Sequence, residues 1–310
     1  MPKKAVADYF DLDIDNVAMG AGSSEIIRNF PAAFMVPGDR VLMMRPSFAE
    51  YAQQCRIAGA SIDFMDLMPE DDFRIDSERL SQMVRDNHYK AVYICNPNNP
   101  TGRIEKREKV LDIVKECEDL GTMVFLDETL LGLSPEAAST SLTKYVGKFS
   151  NLLIADSLTK SFAIPGMRIG FGLSSPEIIS ELEKVQLPWN LGTLEQAVAA
   201  YLMEYRMDYP DVVARELRAE SAYMHSRLDD IGFPVGPLSD SFFYFVSVED
   251  LGLTGEEMKR LMLKGSVMIR DCASFGDRFR GYIRYCVKDR SRNARFMAAA
   301  ESVMDELRGR

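Results

Sequence analysis

The sequence predicts an α/β protein: a large domain on a mainly parallel sheet flanked by helices, then a smaller α+β domain at the carboxyl end. Three observations carry this prediction. The chain of 310 residues is longer than one small domain needs. Short apolar runs alternate with longer amphipathic segments through its first half. After Trp189 the texture changes, with long helical segments giving way to strand-like runs.

In order, the runs "NVAMG", "RVLMM", "ASIDFMDL", "KAVYIC", "TMVFLD" and "NLLIAD" each read as a buried strand. Glu105 to Leu120 and Pro176 to Val185 read as helices between or after them. Near-continuous apolar strands separated by helices imply a parallel sheet covered on both faces, and such sheets bind ligands beyond their carboxyl ends. Leu191 to Arg206 and Asp211 to Ile231 read as two long helices separated by Pro210. "SFFYFVSV", "SVMIR" and "GYIRYCV" read as strands, and Arg290 to Arg310 as a closing helix. The domain boundary is placed near residue 205, giving a large domain over 1–205 and a small one over 206–310.

Composition excludes several classes. Hydrophobic residues make up 46% against 27% charged, which is ample core material. A net charge of −10 argues against nucleic acid and anionic membrane as partners, since both reward a basic face. Five scattered cysteines without a CxxC pair fit reduced thiols of a cytoplasmic protein better than a disulfide framework or a zinc site. The basic start is followed by the acid-containing "AVADYFDLDID", unlike a signal peptide, and no run approaches transmembrane length.

Four motifs sit at strand ends. "GAGSSEIIRNF" follows a strand and opens a helix, so Ser23 and Ser24 either cap that helix or present backbone N–H groups to a phosphate. "ICNPNNPTG" places Asn99 at a strand tip, as a turn residue or as a donor to a ligand. "VFLDET" places Asp127 at another tip, where a buried carboxylate needs a cation or a helix start to serve. "SLTKSFAIPGMRIGF" holds Ser157, Thr159, Lys160 and Arg168, a candidate amine nucleophile beside a donor set suited to phosphate. A phosphate-bearing aldehyde would use all of them. His88 and His225 match no motif and read as surface residues.

In their order and spacing, "NPNNPTG", "DET" and "SLTKSFAIPGMR" resemble the class I/II aminotransferase superfamily, fold type I pyridoxal-phosphate enzymes, over roughly Val17 to Val287. The resemblance implies that Lys160 holds pyridoxal phosphate covalently and moves protons at the substrate Cα, and that Asp127 pairs with the ring nitrogen. It also implies that Asn99 bonds the ring's phenolic oxygen, Phe48 stacks on the ring, and Ser23, Ser24, Ser157, Thr159 and Arg168 hold the phosphate. Arg284 would grip the substrate carboxylate, and Arg270 is similar to a second substrate-binding arginine in the branch handling phosphorylated substrates. Without a ligand, Phe48 could equally be core, and Arg270 and Arg284 charges on edge strands.

Two branches fit, threonine-phosphate decarboxylase and histidinol-phosphate aminotransferase. "SLTKSFAIPGMRIGF", "LPWN" and "IRDCASFGDRFRGYIR" look closer to the decarboxylase, a cobalamin-pathway enzyme. So does Leu130, where aminotransferases of this group carry a tyrosine. The implied substrate is a small phosphorylated amino acid and the implied assembly a homodimer. Members of the superfamily carry several dozen residues before the segment matching "AVADYF"; this sequence lacks that amino-terminal arm, so substrate closure and dimer contacts are expected to be altered. Asp156 is expected to face the phosphate and weaken its site. A non-catalytic pyridoxal-phosphate-binding module is the alternative from another class. A nucleotide-binding loop at "GAGSSE" lacks both GxGxxG and GKS/T and leaves Lys160 without a task.

Overall fold

A computed structural model describes residues 2–309. Among the described residues, ten strands form two sheets. The larger contains β1 (Val17–Ala21), β2 (Arg40–Arg45), β3 (Ser61–Asp66), β4 (Ala91–Cys95), β5 (Met123–Asp127), β6 (Leu152–Ser157) and β7 (Ile169–Leu173), in the order β1-β7-β6-β5-β4-β2-β3. β3, β2, β4, β5 and β6 are parallel, while β7 runs antiparallel to both neighbours. The sequence reading missed β7 because "IGFGL" carries two glycines, residues that normally weaken a strand.

Those glycines are needed for packing. A Cβ on Gly170 would lie 2.2 Å from the Ser23 backbone nitrogen and 2.4 Å from the Gly22 carbonyl carbon, so β7 can pass under the start of α2 (Ser23–Phe34) only without a side chain. α1 (Pro2–Phe10), α3 (Ala49–Ile57), α4 (Ser77–Asn87), α5 (Arg107–Asp119), α6 (Ala137–Thr140), α7 (Leu158–Ser161), α8 (Pro176–Lys184) and α9 (Thr193–Tyr205) complete this part. Two apolar layers cover the sheet. Val92, Ile94, Val124, Leu126 and Ile154 pack on one face, and Tyr93, Phe125, Leu153 and Ala155 on the other. This double burial is why β4, β5 and β6 read as unbroken apolar runs.

α10 (Tyr209–Asp230) begins before Pro210, which sits in its first turn rather than separating two helices. The second sheet has the order β8-β10-β9, with β8 (Phe243–Ser247), β9 (Arg270–Asp271) and β10 (Tyr282–Cys286) antiparallel. The run "SVMIR" yields only two paired residues, because β10 meets it at Arg284 and Ile283 alone. α11 (Gly255–Lys264) and α12 (Arg290–Arg308) pack on this sheet around Phe233, Tyr244, Ile283 and Phe296. α11 starts on a capping box of Thr254 and Glu257, and α12 on Asp289, whose carboxylate accepts from the Arg292 N–H.

The two sheets are joined by polar and aromatic contacts. Arg103, 6% exposed, donates to the Leu238 carbonyl at 2.8 Å and pairs with Asp72 at 2.6 Å. Arg74 pairs with Asp240 at 2.9 Å. Phe73 meets Phe245 edge-on with ring centroids 5.2 Å apart. Substituting Gly170→Ala should cost about 1–3 kcal/mol of stability, because backbone rather than a movable side chain blocks the new methyl. An unchanged melting temperature would show that the crossing at α2 is looser than described.

Candidate active site

Parallel pairing fixes the site. Cys95 is in register with Asp127, and Asp127 with Ala155, so the chain leaves β4, β5 and β6 at one edge. A cavity of about 350 Å³ opens there. All the candidate residues named from the sequence line it except Arg270.

Asp127 is 6% exposed and no basic side chain pairs with it among the described residues. Its carboxylate accepts from the Tyr51 hydroxyl at 2.6 Å and from the Thr129 N–H at 2.9 Å. Burial pushes its pKa up, and the Thr129 side chain, the Tyr51 hydroxyl and the Thr129 N–H hold the rise back. Tyr51 is itself buried, which raises its own pKa well above the ordinary value and keeps it a neutral donor. Sequence reasoning missed Tyr51. The available signal was its spacing: in "FAEY", Phe48 caps α3 and Tyr51 lies in the first turn, so the two rings meet at 5.5 Å and 78°. Phe48 remains 38% exposed on the cavity wall.

The asparagine-rich turn divides its labour. Asn96 bonds the Glu105 backbone in both directions, at 2.8 and 3.0 Å. Asn98 donates to the Pro46 carbonyl and to Thr101. Both shape the turn. Asn99 is left to face the cavity, where its side-chain oxygen accepts from an Arg284 guanidinium nitrogen. Arg284 reaches in from β10 and also lies over the Phe243 ring, 5.6 Å from its centroid.

At the opposite wall, Gly22 at φ 76°, and not a serine, occupies the cap position of α2, and Ser23 and Ser24 line the cavity. Arg168 approaches Ser24 Oγ at 3.4 Å and its guanidinium has no carboxylate partner among the described residues. Ser157 caps α7 by accepting from the Thr159 N–H, and both hydroxyls also lie against the Ile169 carbonyl, at 2.7 and 3.3 Å. Lys160 is exposed on the same wall.

Asp156 departs from expectation. Side chains alternate along β6, so Ser157 lines the cavity while Asp156 does not. Asp156 accepts from the Ser157 N–H, and burial pushes its pKa well up, with Glu128 and Asp127 adding repulsion. Glu128 accepts from Ser141 and from the Leu142 N–H, and burial lifts its pKa to about 7. His225, expected at the surface, is half-buried and bonds the Gly236 carbonyl at 2.9 Å.

The residues fit an anionic aldehyde cofactor. Buried Asp127, with no basic partner among the described residues, lines the same cavity as the exposed amine of Lys160 and the guanidinium of Arg168. An uncompensated carboxylate, a helix start beside a free guanidinium, and an amine match a protonated ring nitrogen, a phosphate and an aldehyde in turn.

Comparison with known proteins agrees. The family model "Aminotransferase class I and II" matches residues 2–299. A putative threonine-phosphate decarboxylase of Caldanaerobacter subterraneus is 28% identical over 98% of this chain and 81% of that one. A histidinol-phosphate aminotransferase of Archaeoglobus fulgidus is 30% identical over 97% of this chain and 82% of that one. The crystal structure of the histidinol-phosphate aminotransferase from Clostridium acetobutylicum superposes with a TM-score of 0.89 at 27% identity, covering 98% of this chain and 88% of that one.

Glu128 supplies a pH test. A carboxyl group whose pKa rises from 4.5 to about 7 on folding binds a proton more tightly when folded, so its contribution to stability is lost as pH climbs through that window. Glu128→Gln keeps the acceptor for Leu142 and removes the titration. Its stability relative to the parent protein should therefore grow between pH 5 and 8, by up to about 3 kcal/mol. Parallel stability curves for the two proteins would refute the raised pKa.

Proposed function

The chain belongs to the class I and II aminotransferase family of pyridoxal-phosphate enzymes, and on that premise we propose that it acts on a small phosphorylated amino acid, as an L-threonine O-3-phosphate decarboxylase. The observation carrying this reading is the meeting of Lys160, a buried and unpaired Asp127, and Arg284 in one cavity. When bound, pyridoxal phosphate supplies an electron sink for the bond broken at the substrate Cα.

Each residue then has one task. Lys160 holds the cofactor and carries protons to and from Cα. Asp127 would pair with the ring nitrogen and hold a proton there. Tyr51 and the Thr129 N–H bond one carboxylate oxygen each, which fixes its orientation. Phe48 would pack against the ring, and Asn99 would donate a hydrogen bond to its oxygen. Ser23, Ser24, Ser157, Thr159 and Arg168 hold the phosphate. Arg284 binds the substrate carboxylate, and Arg270, expected to help, lies outside this cavity on the facing strand.

Which Cα bond breaks would be set by how Arg284 orients the substrate carboxylate. Leu130 favours decarboxylation, since it lines the cavity with an apolar side chain where a phenol would tune the ring oxygen for transamination. Histidinol-phosphate transamination is the second reading, favoured by the 30% identity to the Archaeoglobus enzyme. In either case the unbridged thiols, buried except at Cys286, fit a cytoplasmic protein, and the family habit favours a homodimer.

Borohydride reduction of the yellow protein should bleach its visible band and place the added mass on the peptide containing Lys160. The same adduct on Lys160→Ala would end the assignment. Threonine phosphate should yield aminopropanol phosphate. Glutamate from histidinol phosphate and 2-oxoglutarate would select the second reading, and neither product would leave a non-catalytic binding module. Tyr51→Phe should preserve the fold and weaken cofactor binding about tenfold by removing one bond to Asp127, read from the visible band in a titration.

A further inference from the structure

Beside the active site lies a second cavity, of about 470 Å³, between β9, β10 and the start of α12. Its lining includes Arg270, Arg284, Lys288, Arg292 and Arg295 and no carboxylate, in a chain whose net charge is −10. Arg292 is matched by Asp289 at 2.5 Å. The other four have no acidic partner among the described residues. Arg270 donates to Ser274 at 2.9 Å and Arg284 to Asn99, both neutral acceptors.

The arrangement works against itself unless an anion is present. Arg270 and Arg284 are directly opposite on antiparallel strands, where like charges repel. Arg292 and Arg295 are three residues apart on α12, again a repulsive spacing for like charges. The positive end of the α12 dipole adds to the same potential, and no acidic residue other than the cap Asp289 offsets it in the first turn. Ile269 and Phe296 are buried at the cavity, and Met268 is 78% exposed beside it, so a ligand with a small apolar portion would also find contacts.

We propose that this cavity is a binding site for a phosphate-bearing small molecule, held by Lys288, Arg292 and Arg295 together with Arg270. Two or more negative charges on one group suit several converging cations, and the arginine forks can each bind two phosphate oxygens. Arg284 lines both cavities, so the site adjoins the catalytic one. The phosphate belongs either to a separate ligand or to the far end of the substrate. The inference stands on this geometry and does not depend on which reaction the enzyme performs.

Pyrophosphate titrated into the cofactor-loaded enzyme, followed by calorimetry, is the test, with Lys288→Gln/Arg295→Gln and Arg295→Gln alone as variants. Both side chains are exposed, so the fold should be kept, and an unchanged visible band would report an intact catalytic cavity. The double variant should bind pyrophosphate at least about tenfold more weakly and the single variant show an intermediate loss. A parallel rise in KM for the phosphorylated substrate would identify the substrate's own phosphate as occupant, and an unchanged KM a separate ligand; both support the site. Absence of pyrophosphate binding to the parent enzyme, or equal affinity in the double variant, would overturn it. Loss of catalysis without loss of pyrophosphate binding would instead count against the proposed reaction.

Discussion

A carboxylate buried without a cation governs this structure. Asp127 sits buried where β5 ends, and the groups that donate to it among the described residues, the Tyr51 hydroxyl and the Thr129 N–H, are neutral. Leaving such a group unpaired is expensive, and the fold could have avoided the cost with an apolar residue. Its retention makes sense if a positively charged ring nitrogen completes the site. The neighbouring features follow from the same demand. Tyr51 must be buried to reach Asp127, and Phe48 must precede it on α3 to leave one ring free for the cavity.

A second constraint is the close approach of backbone at the wall proposed to hold the phosphate. α2 begins beside β7 at a separation no side chain on Gly170 would permit. Gly22, at positive φ, lies against the Arg168 guanidinium; a Cβ there would come within 2.4 Å of it. These two glycines let helix N–H groups, hydroxyls and a guanidinium converge, which a chain with ordinary side chains at either position could not arrange.

Much of this was legible in the sequence, and the limits have physical causes. β4, β5 and β6 are buried on both faces, so their apolar runs announced them. The residues at their ends stood out because polar groups there have no packing role. β7 was hidden because its two glycines serve a close approach that is visible only in three dimensions. Tyr51 was hidden because its task lies with a residue far along the chain. Asp156 was misjudged because adjacency in sequence puts it on the opposite sheet face from Ser157. Asn96 and Asn98 were indistinguishable from Asn99 by composition, and only the hydrogen bonds separate two turn-forming amides from one facing the cavity.

Arg284 links the two halves of the molecule. It comes from β10 in the second sheet and meets Asn99 at the edge of the first, and its partner there is an amide rather than an acid. A neutral acceptor positions the guanidinium without neutralising it. On the proposed reading, a substrate carboxylate would add a full opposite charge and a second acceptor oxygen for the guanidinium fork, and would displace the amide without first breaking an ion pair. An aspartate at position 99 would hold Arg284 more firmly and compete with the substrate for it. Asparagine at that strand tip therefore suits both demands, keeping Arg284 in place while leaving its charge for the ligand.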